Sequence, residues 1–412
     1  MPRVSGLLRC SPSGLILLLL VACGREDGGD RSAAVDKLAT GGPPPVELVE
    51  TWPVETDLDS PGIPDAHRVW PDLIDHARET LDVAQFYLSD SPGGRLEPVL
   101  AALRRAAWRG VRVRLLVDAK FHGKYPLPAD ALDLWPNVEV RRLDLRPRGG
   151  VMHAKYFVVD GRELFVGSQN WDWRSLEHIH ELGLRARDRK LAGVFSRFFA
   201  RDWAAAGGEP APRESASVAS GPPPVTKDPT EERIDAAASP PDDLPPGVAW
   251  DLPGLVRLLD EATRTLDLEL LSYRTRTSNG GRWTVLDDAL RRAAGRGVRL
   301  RILVSSWAVR GDGGRDLAAL AAVPGVAVRV LEVPESRRGP IPFARVAHAK
   351  YLVVDGRRAW LGTSNWEKSY FHASRNASLF LGDPALVAQM AAFFTRAWDS
   401  PLARPLGTPA SP

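Results

Sequence analysis

Two stretches of the sequence repeat one set of polar residues at one spacing. Each has a histidine, a lysine two residues later, an aspartate after four more residues, and then a Gly-Ser/Thr-x-Asn turn. The first copy contains His153, Lys155, Asp160, Ser168 and Asn170, and the second contains His348, Lys350, Asp355, Thr363 and Asn365. Residues two apart on a strand face the same side, so each copy offers one imidazole beside one ammonium. Two such pairs brought together, with the hydroxyl and carboxamide from the next strand, suit a tetrahedral phosphate oxyanion.

The elements around these motifs are repeated as well. Residues 102–117 match residues 289–304, and each segment predicts the end of an amphipathic helix, a glycine C-cap (Gly110 or Gly297) and a strand. Each motif then precedes two apolar runs joined at Asp-Gly, which predicts a hairpin. We therefore expect an α/β protein of two homologous lobes, each a mixed sheet flanked by helices, paired about a pseudo-two-fold axis with one shared active site.

Composition sets the domain plan. The 412 residues are 44% hydrophobic and 25% charged, which allows two domains with full cores, and a formal charge of +3 is too weak to imply nucleic acid by itself. A stretch rich in Pro, Gly and Ser separates the two repeats. The predicted boundaries are lobe 1 at 46–206, a linker at 207–230, lobe 2 at 231–400 and a tail at 401–412.

The N-terminus is typical of an exported protein. Two arginines precede a short apolar run that ends in Leu20-Val21-Ala22-Cys23, a string that resembles a bacterial lipobox. We expect a signal peptide at 1–23, acylation of Cys23, a flexible tether at 24–45, and anchoring in the cell envelope outside the cytoplasmic membrane. An ordinary secreted protein with an incidental cysteine is the alternative. Because Cys10 lies in the removed segment, the mature chain would have no internal disulfide.

The doubled motif resembles the signature of the phospholipase D superfamily, and the resemblance covers about Val46 to Trp398. The strings at 151–160, 172–176, 181–183 and 362–366 look most like the branch that contains the phospholipase D3 and D4 proteins. That branch includes single-stranded nucleic-acid exonucleases and lipid transphosphatidylases. The resemblance implies a two-step substitution in which one histidine attacks phosphorus to form a phosphohistidine and the other acts as general acid and base, with no metal or other cofactor.

One difference between the copies bears on the two roles. Glu181 stands eleven residues after Asn170, where family members carry a carboxylate that hydrogen-bonds the nucleophilic histidine, and Asn376 stands at the matching position of the second copy. On this basis His153 is predicted to be the nucleophile and His348 the general acid/base.

Other candidates have a structural alternative. Asp160 and Asp355 each open an Asp-Gly turn, so they could organise the hairpin instead of the site. Aromatic residues near the motifs could stack on bases, line an acyl channel or pack in the core; they are Trp171, Trp173, Trp366, Tyr370 and Phe371. His178, His180 and His372 lie outside the motif and are not expected to take part.

The leading hypothesis is a phosphodiesterase that hydrolyses phospholipids or transfers phosphatidyl groups, held beside its substrate membrane by acylated Cys23. The alternative is a single-stranded nucleic-acid exonuclease of the same fold and mechanism. A binding protein of the envelope that has lost activity is a third hypothesis, although no motif residue is missing. We expect a monomer, because the two lobes already form an intramolecular pseudo-dimer.

Overall fold

A computed structural model of the protein describes residues 45–208 and 234–407. The predicted signal peptide with Cys23, almost all of the tether and most of the linker lie outside the described residues. In lobe 1 the elements are β1 (Val46–Thr51), α1 (Ala66–Asp75), β2 (Thr80–Gln85), β3 (Leu88–Ser89), α2 (Glu97–Trp108), β4 (Arg112–Asp118), α3 (Ala119–His122), α4 (Leu127–Leu132), β5 (Val138–Leu143), β6 (Tyr156–Val159), β7 (Glu163–Gly167), β8 (Trp171–Asp172), β9 (Glu181–Ala186) and α5 (Arg189–Gly207). In lobe 2 they are β10 (Ile234–Ser239), β11 (Ala249–Trp250), α6 (Asp251–Asp260), β12 (Thr265–Leu270), α7 (Val285–Gly295), β13 (Arg299–Ser305), α8 (Asp312–Ala321), β14 (Val326–Leu331), β15 (Tyr351–Val354), β16 (Arg358–Gly362), α9 (Lys368–His372), β17 (Asn376–Leu381), α10 (Pro384–Asp399) and β18 (Ala403–Pro405).

The two lobes have the same sheet topology. The sheet of lobe 1 has the order β1-β9-β7-β6-β2-β4-β5, and that of lobe 2 contains the same series as β10-β17-β16-β15-β12-β13-β14. In each lobe the central strand, β2 or β12, pairs in parallel with the strand that follows the helix, β4 or β13. On its other side it pairs antiparallel with the first hairpin strand, β6 or β15. Lobe 2 adds β11 at one edge and β18 at the other. The expected pair of homologous α/β lobes is confirmed.

The repeated helix-turn-strand segment forms as its sequence predicts. Gly110 and Gly297 follow α2 and α7 with φ of +89° and +88°, a left-handed conformation that glycine adopts without a Cβ clash. In β4 the arginines face outward and the aliphatic side chains face inward, so that Arg112 is exposed and Val113 is buried. Arg114 is partly buried and donates to the carboxylate of Asp82. Arg112 is therefore a surface residue, whereas Arg114 also packs on Phe199 and Trp203 of α5.

Helices α5 and α10 join the lobes. Their apolar faces and the facing sides of both sheets share one hydrophobic cluster, which includes Phe195 and Phe199 from α5 and Phe393 and Phe394 from α10. Separate clusters lie under α1 and α2 in lobe 1 and under α6 and α7 in lobe 2. The shared cluster sets the relative position of the two motifs. No helix within the described ranges is long and apolar enough to cross a bilayer.

The predicted tail at 401–412 is wrong for its first part. Residues 403–405 form β18, which pairs antiparallel with β14 at the edge of the lobe 2 sheet. Ala403 is buried, and the backbone N–H of Glu332 donates to the carbonyl of Leu402 at 2.9 Å. A three-residue strand has too short a pattern to stand out in a sequence, and the exposed edge of β14 supplies its hydrogen bonds.

Candidate active site

The two His-x-Lys motifs lie at the interface between the lobes, immediately before β6 and β15. His153 and His348 are 3% and 8% exposed, and both lysines are fully buried. The motif residues lead directly into these strands, and in lobe 1 the imidazole of His153 and Nζ of Lys155 contact the same ring, that of Phe86. Two lysines and two histidines at one buried interface, with Glu181 as a neighbouring carboxylate, make a site that would favour a bound anion.

Each lobe reaches across to the motif of the other. The backbone N–H of His153 donates to the carbonyl of Arg375 in lobe 2, and that of His348 donates to the carbonyl of His180 in lobe 1, both at 2.8 Å. His180 and Arg375 are the residues directly before β9 and β17. The residue that follows each of them is therefore delivered to the opposite lobe's histidine.

This exchange corrects the predicted partner of Glu181. Its Oε2 lies 2.7 Å from Nδ1 of His348, the histidine of the other motif. His153 instead has Asn376 as its partner, with Oδ1 3.0 Å from Nδ1. The prediction that Glu181 orients the histidine of its own copy is wrong, because the chain segments before β9 and β17 cross between lobes.

Both partners are held by further hydrogen bonds. Ser175 donates its hydroxyl to Oε1 of Glu181 at 2.6 Å. The amide Nδ2 of Asn376 donates to the carbonyl of Tyr370 at 2.8 Å, and Thr363 donates its hydroxyl to Oδ1 of Asn376 at 2.9 Å. The carbonyl oxygen of Asn376 must then face His153, so Nδ1 of that imidazole carries the hydrogen and Nε2 keeps its lone pair.

The two imidazoles differ in basicity. Burial, together with the ammoniums of Lys155 and Lys350, holds the pKa of His153 well below its ordinary value. Burial also lowers the pKa of His348, but here the carboxylate of Glu181 opposes the shift. Burial by itself would raise the pKa of Glu181, yet His348 and Lys350 bring it below its ordinary value. His348 is therefore the histidine that is better able to hold a proton.

The lysines are anchored by their own motifs. Nζ of Lys155 donates to the carbonyl of His153 at 2.5 Å, and Nζ of Lys350 donates to the carbonyl of His348. Burial lowers the pKa of Lys350 to about 7, and burial with the neighbouring ammonium lowers the pKa of Lys155 well below its usual range. Each ammonium keeps donors for a bound anion, whose charge would favour the protonated form.

The Gly-Ser/Thr-x-Asn turns divide into two functions. The hydroxyls of Ser168 and Thr363 accept from the backbone N–H groups of Leu182 and Ala377, at 3.1 Å each, and so support the strands that carry Glu181 and Asn376. The carboxamides of Asn170 and Asn365 are buried, and among the described residues their Oδ1 atoms have no hydrogen-bond partner. The Oδ1 atoms of the two asparagines are therefore among the unpaired polar atoms of these turns, and the hydroxyls of Ser168 and Thr363 are positioning groups.

The structure also corrects the assignment of Asp160 and Asp355 to the catalytic set. The carboxylate of Asp160 accepts from the backbone N–H groups of residues 78, 79 and 80 at 2.8 to 2.9 Å. That of Asp355 accepts in the same way from residues 263, 264 and 265. Both aspartates have φ near +50° at the hairpin turn, where each joins the turn to the start of a neighbouring strand. Their function is structural.

Comparison with known proteins agrees with this geometry. A family model described as "Cardiolipin synthase, PLD-like domain" matches residues 71–203 and 255–398. The chain belongs to the phospholipase D-like family. It is similar to 5′-3′ exonuclease PLD3 of Bos taurus, with 32% identity over 399 residues that cover 88% of this chain and 81% of the relative.

Two further proteins define the range of the family. Phospholipase D Z of Dictyostelium discoideum is 28% identical over 399 residues, which cover 88% of this chain and 91% of the relative. The crystal structure of a phosphatidylserine synthase from Haemophilus influenzae Rd KW20 superposes with a TM-score of 0.57 at 14% identity, covering 82% of this chain and 85% of that one, and this likeness shows the fold alone. The chain is a phospholipase D-like phosphodiesterase.

A row of aromatic side chains leads from His153 of this phospholipase D-like protein to the surface of lobe 1. The ring of Phe86 lies 4.8 Å from the imidazole of His153, and Nζ of Lys155 lies 4.9 Å from the same ring. The successive centroid distances from Phe86 through Phe121 and Tyr87 to Tyr125 are 4.0, 5.8 and 5.1 Å. We call Phe86, Phe121, Tyr87 and Tyr125 the aromatic row. Apart from buried Phe86 these rings are half-buried, and Tyr87 is stacked between Phe121 and Tyr125.

The sequence did not indicate the aromatic row. Its members come from two separate segments, 86–87 and 121–125, and lobe 2 has Leu271 and Ser272 where lobe 1 has Phe86 and Tyr87. Ser175 was also missed, since its counterpart in the second copy is Tyr370. The aromatic row and Ser175 differ between the two copies, so comparison of the copies does not identify them as site residues.

Most of the aromatic residues singled out near the motifs pack in the core. Trp171 and Trp366 are buried in the lobe clusters, and Trp173 packs on His178. Tyr370 differs, because its ring meets the imidazole of His153 edge-on at 4.8 Å.

The neighbouring histidines take structural positions. His180 pairs with the buried carboxylate of Glu269 at 2.9 Å and stacks on Phe393 in α10. His372 packs against Trp250, outside the contacts of the two motifs. Within residues 45–208 and 234–407 no group of three or more His, Cys, Asp or Glu side chains is arranged to hold a metal ion.

Proposed function

We propose that this phosphodiesterase cleaves single-stranded nucleic acid through a covalent intermediate on His153. The observation that carries the substrate assignment is the aromatic row, which begins at the imidazole of His153 and continues to the surface. Successive aromatic rings beside a phosphate site are suited to the bases of a single strand, because every base has a face that can stack. Lys120 and Lys124 are exposed beside the row, and Nζ of Lys124 lies 4.8 Å from the ring of Phe121.

The different partners of the two imidazoles support the division of roles. Nε2 of His153, which carries a lone pair, attacks phosphorus and forms the P–N bond while the P–O bond to the leaving group breaks. His348, protonated and paired with Glu181, gives its proton to the leaving oxygen. In the second step neutral His348 takes a proton from water, the water oxygen bonds to phosphorus, and the P–N bond breaks. Lys155, Lys350 and the two asparagine amides would bind the non-bridging oxygens.

The proposal that His153 is the nucleophile rests on a different ground from the sequence prediction, whose basis the partners of the two histidines overturn. The expected reason was a carboxylate beside the nucleophile. The geometry instead gives the carboxylate to the general acid, where it stabilises the imidazolium, and gives the nucleophile an amide that selects the reactive tautomer.

The names of the relatives agree with a nucleic-acid substrate. Several curated relatives at about this level of similarity carry the name 5′-3′ exonuclease, including the human protein at 33% identity over 398 residues. We assign the same substrate class to this chain because both His-x-Lys motifs retain the residues that would perform the chemistry.

The experiment is a substrate comparison with the purified protein from residue 24 onward. In EDTA it should degrade 5′-labelled single-stranded DNA, degrade the same sequence more slowly as a duplex, and be inactivated by His153→Ala. Turnover of phosphatidylcholine with no cleavage of DNA or RNA would contradict the nucleic-acid assignment. Loss of all activity in EDTA, restored by a divalent metal, would contradict the metal-independent mechanism.

Phospholipid is a second candidate substrate because one relative of nearly equal coverage is named a phospholipase D. The lipobox-like string at Cys23 agrees with it, since acylation would hold the catalytic unit beside a membrane. We infer the same envelope location for either substrate. Labelled palmitate should enter the wild type and fail to enter Cys23→Ser, and equal labelling of both would contradict the anchor.

A further inference from the structure

The loop that leads into the second motif is longer than its counterpart in the first. His153 follows the end of β5 (Leu143) by ten residues, whereas His348 follows the end of β14 (Leu331) by seventeen. The two lobes otherwise share their sheet topology, so the additional residues are a local feature of lobe 2. We call residues 332–347 the entry loop.

The entry loop is fixed to both lobes. The guanidinium of Arg345 donates to the carbonyl of Val54 in lobe 1 at 2.7 Å and to the carbonyl of Pro334 at 2.6 Å. The carboxylate of Glu55 accepts from the backbone N–H of Arg337 at 3.0 Å. Arg174 of lobe 1 donates to the carbonyl of Pro342 at 3.1 Å. With these contacts at both ends, the conformation of the loop is set by the folded protein.

One large apolar side chain of this loop, that of Phe343, is exposed to solvent. Phe343 is 67% exposed, and its φ of +61° is in the left-handed region, which a residue with a Cβ adopts only when its surroundings impose it. Arg345 has φ of +59° as well. The ring of Phe343 is therefore presented to solvent by a backbone that is tied to both lobes, where a ligand can reach it.

Phe343 stands five residues before His348 in the entry loop. Its ring meets Trp307 edge-on at 6.4 Å, and Trp307 packs on a small apolar cluster formed by Ile179, Leu271, Ala344 and Val346. Leu271 directly follows β12, as Phe86 directly follows β2, so it holds in lobe 2 the place from which the aromatic row starts in lobe 1. This cluster, with Trp307 and Phe343 at its outer end, is therefore the lobe 2 counterpart of the aromatic row.

In-line substitution at phosphorus would bring different parts of the substrate to the aromatic row and to the apolar cluster with Phe343 at its outer end. The leaving oxygen departs opposite the attacking Nε2 of His153 and next to His348, so the leaving part of the substrate extends toward lobe 2. We propose that Phe343, backed by Trp307, stacks on the nucleobase next to the leaving oxygen, while the aromatic row holds the nucleotide that stays on His153. This subsite rests on the proposed nucleic-acid substrate. Arg337 and Arg338, exposed in the same loop, would meet the phosphate that follows.

The test uses dinucleotides in which one base at a time is removed. Three substrates are compared: thymidylyl-thymidine and its two abasic derivatives. These derivatives are isomers of each other, one without the leaving-side base and one without the retained-side base. Phe343→Ala should lower kcat/KM about 10-fold on the full dinucleotide, within the range of one stacked base. It should have no effect on the isomer that lacks the leaving-side base, because the contact is already lost there.

Three variants serve as controls. Trp108→Ala removes an aromatic side chain that is equally exposed, at 67%, on α2, and should leave all three rates unchanged. Phe343→Tyr keeps a ring and should retain activity. Tyr125→Ala should give the converse pattern, with its effect lost only on the isomer that lacks the retained-side base.

The outcomes separate this subsite from the proposed function. If the wild type cleaves the full dinucleotide and Phe343→Ala cleaves it equally well, the subsite is refuted and the nuclease stands. An equal loss on all three substrates would also refute it, since the effect would not depend on the base. If Phe343→Ala instead lost only binding to phosphatidylglycerol vesicles, Phe343 would be a membrane contact. Failure of the wild type on every nucleic acid would refute the proposed function, and the subsite with it.

Discussion

Glu181 and His348 belong to different lobes, and their side chains meet at 2.7 Å through one carboxylate oxygen and Nδ1 of the imidazole. The equivalent contact on the other side of the interface joins His153 to an amide, Asn376. An enzyme assembled from two copies of one motif has two histidines that must perform different steps. In the proposed mechanism the charged partner of His348 and the neutral partner of His153 make that difference.

The first prediction concerns the two histidines. His153→Ala should abolish turnover and the covalent intermediate with every substrate, because no other group is placed to attack. His348→Ala should lose about 10²–10⁴-fold on an ordinary nucleoside ester, yet regain the first step with a p-nitrophenyl ester that needs no proton. Mass spectrometry of the trapped protein should show phosphate on the peptide that contains His153. Phosphate on the peptide of His348 would reverse the roles.

The pH dependence follows from the partners of the imidazoles. The first step needs His348 protonated, so kcat/KM for an alkyl ester should fall as pH rises through the pKa of that histidine. Burial, opposed by Glu181, leaves this pKa below its ordinary value, which predicts an acidic optimum. Glu181→Gln removes the opposing charge, lowers the pKa further and should move the alkaline limb to lower pH. An upward movement would exclude His348 as the acid.

A complementary substitution acts on the nucleophile. Asn376→Asp places a carboxylate beside His153, which should raise the pKa of that imidazole from its present low value. Because His153 must be neutral to attack, the acidic limb of the kcat/KM profile should move to higher pH. An unchanged acidic limb in Asn376→Asp, measured with the same alkyl ester, would show that another group controls it.

The aspartates of the motif should affect stability and not chemistry. Asp355→Asn removes charged acceptors from three backbone N–H groups and from the hydroxyl of Thr263, and should cost about 1–3 kcal/mol of unfolding free energy. The folded fraction should keep the wild-type kcat. Urea unfolding followed by activity below the transition measures both, and a large loss of kcat at full folding would return Asp355 to the catalytic set.

A buried ion pair holds the second crossing segment in place. Arg375, whose carbonyl supports His153, donates to Asp202 of α5 at 2.8 Å, and both side chains are buried. Asp202→Ala should cost about 3 kcal/mol, the lower end for such pairs, because Asp243 at 3.0 Å remains beside the guanidinium. The exposed pair of Arg292 and Asp260 is the control, and Asp260→Ala should cost about 0–1 kcal/mol. Equal urea midpoints for the two variants would contradict a structural role for the buried pair.

Local sequence was sufficient to predict the features that depend only on residues close together in the chain. The spacing of His153 and Lys155, its recurrence at His348 and Lys350, the glycines after α2 and α7, and the Asp-Gly hairpins are short-range patterns. Their outcome depends on backbone geometry within a few residues. Two lobes, the family and the motif residues of the active site could therefore be predicted without coordinates.

Tertiary structure decided which residues meet across the interface. Glu181 and His348 are 167 positions apart, and no property of either segment says that the strands carrying Glu181 and Asn376 deliver them to the opposite lobe. The aromatic row and the position of Phe343 likewise depend on segments that only packing brings together. Such contacts are set by how two apolar helix faces, α5 and α10, fill the space between the sheets, which is a property of the whole core and not of any one stretch of sequence.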